Sequence, residues 1–141
     1  MLFAPRGQAR SLPQWFAVVL ASLLLGACAT QGDIMDKLNT TLRGYEQAVR
    51  WGQFDAVYSF HRWPDEQEPS LPANMENIRI TKYAASGQRL DPKKMIMKQT
   101  VTLSYYNTDD QRVRSIKHRH EWKYFPKLKR WYLISDPITF P

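Results

Sequence analysis

The chain has 141 residues and a formal net charge of +7, and it contains one cysteine, Cys28. That length leaves room for one small domain and excludes a second core; a lone cysteine excludes an internal disulfide, so the fold is held without a covalent cross-link. The charge is unevenly spread: residues 28–76 hold four basic and eight acidic side chains, residues 77–141 hold 14 basic and five acidic.

The first ten residues carry Arg6 and Arg10 and no acid, and lead into the uncharged run "WFAVVLASLLLGA", Trp15 to Ala27. This is the layout of a secretory signal peptide. At 13 residues the run is shorter than the ~20 a spanning helix needs. Its end, "LGAC", resembles the lipobox of bacterial lipoproteins: a branched apolar residue, two small residues and a cysteine. The resemblance implies cleavage after residue 27, a lipid on Cys28, and an anchor made of several acyl chains. With Ala29 rather than aspartate after the cysteine, the same resemblance implies the outer membrane of a Gram-negative cell, with the domain facing the periplasm. The expected boundaries are therefore 1–27 signal peptide, 28–32 lipidated tether and 33–141 folded domain.

After the tether "ATQGD", Ile34, Leu38, Leu42, Tyr45 and Val49 recur at spacings of three and four, which predicts an amphipathic helix over 33–51, with Gly52 to end it. A second short helix is expected in "FDAVYSFH". "RWPDEQEPSLPANMEN", with three prolines and four acids, reads as an irregular connection. The pattern then changes to strands: "NIRITKYAA", "KKMIMKQTVTLSYY", "QRVRSIKHRHEWKYF" and "RWYLIS", with turns at "NTDD" and "PKLK". Helices followed by strands predict an α+β fold, a helix pair packed on a curved antiparallel sheet of about four strands.

"YEQAVRWGQFDAVYSFH" and "HEWKYFPKLKRWYLISDP" together resemble the small proteobacterial lipoproteins with a nuclear transport factor two-like, cystatin-like cone domain. The matching positions are Trp51, Gly52, Phe54 and Asp55 at the helix joint, Glu121, Trp122 and Tyr124 on the third strand, and Arg130 to Leu133 on the last. These are structural positions. The resemblance implies a fold and no activity, because that scaffold carries enzymes, ligand pockets and interaction modules alike. Asp55 is expected to be a helix-terminal hydrogen-bonding residue.

The candidate pocket lies in "KHRHEWKY". Residues two apart on a strand share a face, so His118, His120, Trp122 and Tyr124 are expected to point inward with Ile116, and Lys117, Arg119 and Lys123 outward with Glu121 as the acid among them. Two imidazoles on one face serve as an acid/base pair or as two metal ligands. A metal site needs a third ligand, and the sequence does not put His61, the remaining histidine, beside them. Tyr45, Tyr58, Tyr105 and Tyr132, all at core-type positions, are the tyrosines that could complete a catalytic set. Gly-rich phosphate loops, nucleophile elbows and HExxH are missing from the sequence. The expectation is a non-enzymatic module without a cofactor or metal, binding an anionic envelope component or an acidic protein through the stripe Lys117, Arg119 and Lys123, and not nucleic acid. The alternatives are a ligand pocket or enzyme built on His118 and His120, and a structural subunit of an envelope assembly.

Overall fold

The computed structural model describes residues 13–63 and 75–141; the side chains of residues 20–29 lie outside that description. The chain divides into two compact units, Met1–Met35 and Asp36–Pro141.

Helix α1 spans Gln14–Arg50. It starts well before the expected residue 33, so "ATQGD" is helical here rather than an extended tether. The upstream residues include four Ala and four Leu, strong helix formers, and Gly26 and Gly32 each weaken a helix by only about 1 kcal/mol. Trp15, Phe16, Val18 and Val19 are exposed on its first turns. Among the described residues no helix is long and apolar enough to cross a membrane. Cys28 falls on α1, but its side chain is outside the described set.

Leu38, Tyr45, Ala48 and Val49 are buried, as the apolar spacing requires, with Leu42 half-buried. Gly52 ends α1 at φ 65°, donating to the Val49 carbonyl at 3.1 Å while Gln53 donates to Ala48 at 2.9 Å. This paired closure satisfies two terminal carbonyls and requires a left-handed residue. Helix α2 follows over Phe54–Ser59, with Phe54, Val57 and Tyr58 buried. The acidic, proline-bearing connection falls largely on residues 64–74, which are outside the described set.

A short 3₁₀ turn, Met75–Asn77, leads into four strands: β1 Ile78–Asp91, β2 Ile96–Asn107, β3 Val113–Phe125 and β4 Arg130–Leu133. They form one antiparallel meander in the order β1-β2-β3-β4. The architecture is α+β, with helices packed on a four-strand open sheet. Strand β1 extends six residues past the expected "NIRITKYAA" because register shifts at Ile80/Lys82 and Ser86/Arg89 carry it through a stretch without alternation. Each hairpin closes on a non-glycine residue of positive φ, namely Met95, Gln111 and Lys129. Asp91 Oδ1 accepts the amides of Lys93 and Lys94 in the first turn, and Asn107 Oδ1 that of Asp109 in the second.

The inner face of the sheet is the core. Val101, Leu103 and Tyr105 on β2, Trp122 and Tyr124 on β3, and Trp131 and Leu133 on β4 are buried there. The Tyr45 ring of α1 meets Trp122 edge-on at 5.2 Å and Phe60 at 5.6 Å. The residues after β4 also enter the core. Ile138 is buried, Phe140 meets Phe54 and Tyr105 edge-on, and the Tyr105 hydroxyl donates to the Pro141 carbonyl at 3.1 Å.

Candidate functional site

Alternation along β3 sorts the candidate residues as the sequence requires. His120, Trp122 and Tyr124 are buried and His118 is half-buried, while Lys117, Arg119 and Lys123 are exposed. His118 pairs with Val101 of β2, His120 with Gln99 and Trp122 with Met97. The two histidine rings lie 5.1 Å apart, and Tyr45 stands edge-on to His120 at 5.3 Å.

The structure also answers the question of the third histidine. Phe60 and Arg62 hydrogen-bond through their main chains to Leu133, so the segment after α2 lies along β4 and His61 forms a parallel bridge to it. His61 is buried, stacked on Trp63 at 4.8 Å. His120 thereby senses both other histidines, and His61 senses His118. Burial, then the neighbouring His118 and His61, push His120 down to about 3; burial brings His61 to about 4, opposed in part by the Ser135 main chain, with His118 a still weaker lowering influence. Burial lowers His118 as well, partly offset by Asp136. Both ring nitrogens of His61 and of His120, Nδ1 of His118, the Tyr45 hydroxyl and the Trp122 indole nitrogen are buried without a hydrogen-bond partner. Among the described residues no group of three or more His, Cys, Asp or Glu side chains is arranged to hold a metal ion.

The four tyrosines named with the histidines part company. Tyr45 reaches His120 and Tyr58 lies 6.0 Å from His61, but Tyr105 is tied to the C-terminal tail. Tyr132 corrects the sequence reading: it is half-buried on the outer face beside Phe125, because it alternates with the buried Trp131 and Leu133. At the helix joint, Trp51 is 75% exposed, and the expectation for Asp55 is corrected. Asp55 sits exposed in the first turn of α2; the capping position belongs to Gln53, whose side chain makes no capping bond.

The outer face is cationic. Across neighbouring strands the rows run Lys82 beside Ser104, Thr102 beside Lys117, Thr100 beside Arg119, and Arg89 beside Lys98 beside Glu121. Lys123 pairs with Tyr132 of β4. Lys98, Thr100, Arg119 and Glu121 surround a depression of about 330 Å³, which also touches Gly87 and Ser135. Gln99 and His120, which alternate with these residues and carry buried side chains, line it as well. The β1 bulge bearing Gly87 opens one side, and Gln88 anchors that bulge by donating to Gln99 Oε1 at 3.0 Å. On the other side Ser135 Oγ accepts the Glu121 amide at 3.1 Å. The stripe on β3 is readable from the alternation of that strand; that Lys98 and Arg89 join it is not, because register between strands is not readable from one strand.

No known protein family, curated protein or solved structure matches this chain.

Proposed function

We propose that this protein is a lipid-anchored accessory module of the bacterial envelope, whose outer sheet face binds an anionic envelope component. The observation that carries the reading is the outer face itself: Lys82, Lys98, Lys117, Arg119 and Lys123 stand on adjacent rows, and Glu121 is the acid placed among them. Facing cations of this density attract a multiply anionic surface over about a Debye length, and the depression between Lys98 and Arg119 gives a phosphate- or carboxylate-sized group a place to sit.

The anchor rests on "LGAC" at residues 25–28, with the outer membrane following from Ala29. The finer likeness to the cystatin-like cone lipoproteins is consistent with a helix pair followed by a four-strand sheet and belongs to the same proposal. A binding role is favoured over an enzymatic one because His120 meets the edge of Tyr45 and His61 stacks on Trp63, and burial pushes the pKa values of these two well below neutrality, where they are weak bases.

The test is a salt titration of the full-length protein against vesicles carrying anionic lipid, lipopolysaccharide or neither, comparing wild type with Lys98→Gln/Arg119→Gln. Stronger association with the anionic vesicles, weakened by salt and by the double substitution, is expected. Identical salt profiles for the two proteins would refute the reading.

A further inference from the structure

The β3–β4 hairpin combines exposed apolar groups with cations. Its turn, residues 126–129, is closed by Leu128 and Lys129 donating to the Phe125 and Pro126 carbonyls. Leu128, at the tip, is 47% exposed between the exposed Lys127 and Lys129. Below it Phe125 and Tyr132 pack ring to ring at 5.7 Å, each half-buried. Next along the same edge Ile134 is 38% exposed.

Every ring of this strip carries a cation. The Arg62 guanidinium stands 4.4 Å from the Phe125 centroid, Lys123 Nζ stands 5.5 Å from it, and the Arg130 guanidinium is 5.4 Å from Tyr132. Charge alone would suit an acidic protein, but the strip also offers an aliphatic tip above paired rings. A bilayer surface uses both: phosphates pair with Lys and Arg, amphipathic rings settle at headgroup depth, and an aliphatic tip enters the boundary with the acyl chains.

We propose that the β3–β4 hairpin is a seat on an anionic phospholipid bilayer, with Leu128 entering the interface, Phe125 and Tyr132 at headgroup level, and Lys127, Lys129 and Arg130 on lipid phosphates. It rests on the reading of the outer face as an anion-binding surface and commits part of that face to phospholipid.

The experiment uses the full chain with Cys28→Ser and a single new cysteine labelled with an environment-sensitive nitrobenzoxadiazole probe. The label is placed by Leu128→Cys in the β3–β4 turn, or by Asp109→Cys in the β2–β3 turn as a control. Each protein is reconstituted with phosphatidylcholine vesicles and with vesicles containing phosphatidylglycerol. The probe at 128 is expected to brighten several-fold and shift to the blue on the phosphatidylglycerol vesicles, less so on phosphatidylcholine, while the probe at 109 stays water-like. Adding Lys127→Gln and Lys129→Gln should remove that lipid preference. A water-like probe at 128 on anionic vesicles overturns the proposal, and so does an equal blue shift at 109. If the probe at 128 stays water-like while association remains salt-sensitive, the seat is refuted and the anion-binding face stands. If salt sensitivity is lost too, the broader reading fails with it.

Discussion

His120 is almost fully buried with neither ring nitrogen hydrogen-bonded, and that makes acid its specific threat. The groups around it are His118 on its own strand, His61 from the segment along β4 and Tyr45 from α1, with Asp136 acting on His118. A base whose folded pKa is lowered binds fewer protons folded than unfolded. Its contribution to stability is therefore complete above about pH 6.5 and is lost as pH falls toward 4 for His61 and 3 for His120. Each such histidine contributes a slope of about 1.4 kcal/mol per pH unit in that window. Denaturation followed from pH 7 to pH 4 is expected to show this loss, and His120→Leu should make it shallower while changing stability at pH 7 little, since it removes two unpaired polar atoms. An unchanged acid slope in His120→Leu would show that His120 does not titrate against the fold. Trp122, on β3 and fully buried against Tyr45, is with Trp131 one of the largest side chains of the same core. Trp122→Ala should destabilise by about 3–5 kcal/mol, read from the denaturation midpoint.

At the level of elements, the α1 terminus depends on one backbone angle. A Cβ at Gly52 would meet the Phe54 ring at 3.9 Å and the Ile78 carbonyl at 4.0 Å, ordinary contacts, so the strain of Gly52→Ala is conformational. It should lower stability by about 1–2 kcal/mol at φ 65°; an unchanged denaturation midpoint would mean that the turn relaxes freely. Gly52 was legible in the sequence because a periodic apolar stripe stops there. The four strands were legible for the same reason, since alternation on β2 and β3 is strict and the turns between them hold Asn, Asp, Pro and Lys. What escaped were segments whose pairing is set from outside. The later half of β1 follows β2 through a bulge, the His61 segment lies along β4 by main-chain bonds to Leu133, and the tail from Ile138 to Pro141 packs on Tyr105 and Phe54 without any periodicity of its own. The inward histidines were readable from β3; their neighbour His61 was not, because it comes to them through that main-chain docking.

For the whole molecule, the uneven charge of the sequence becomes a two-faced sheet, with an aromatic core on the side of α1 and cations opposite. If Cys28 is the lipid attachment point, Cys28→Ser should abolish metabolic palmitate labelling and leave the signal peptide uncleaved, as judged by mobility and labelling in the native host. Persistent labelling would contradict the anchor. The central claim is that the outer face binds anions rather than only keeping the domain soluble. Lys117, Arg119 and Lys123 are exposed on β3, so replacing all three by Gln should leave thermal melting nearly unchanged. Near an anionic lipid surface each is worth about 1 kcal/mol, so together they should weaken association with phosphatidylglycerol vesicles on the order of 100-fold and flatten its salt dependence. The decisive measurement is that association, for wild type and the triple Gln variant at low and physiological salt with melting recorded alongside: a large salt-sensitive loss with unchanged melting is the expected result, and equal binding by the two proteins at low salt would contradict the account.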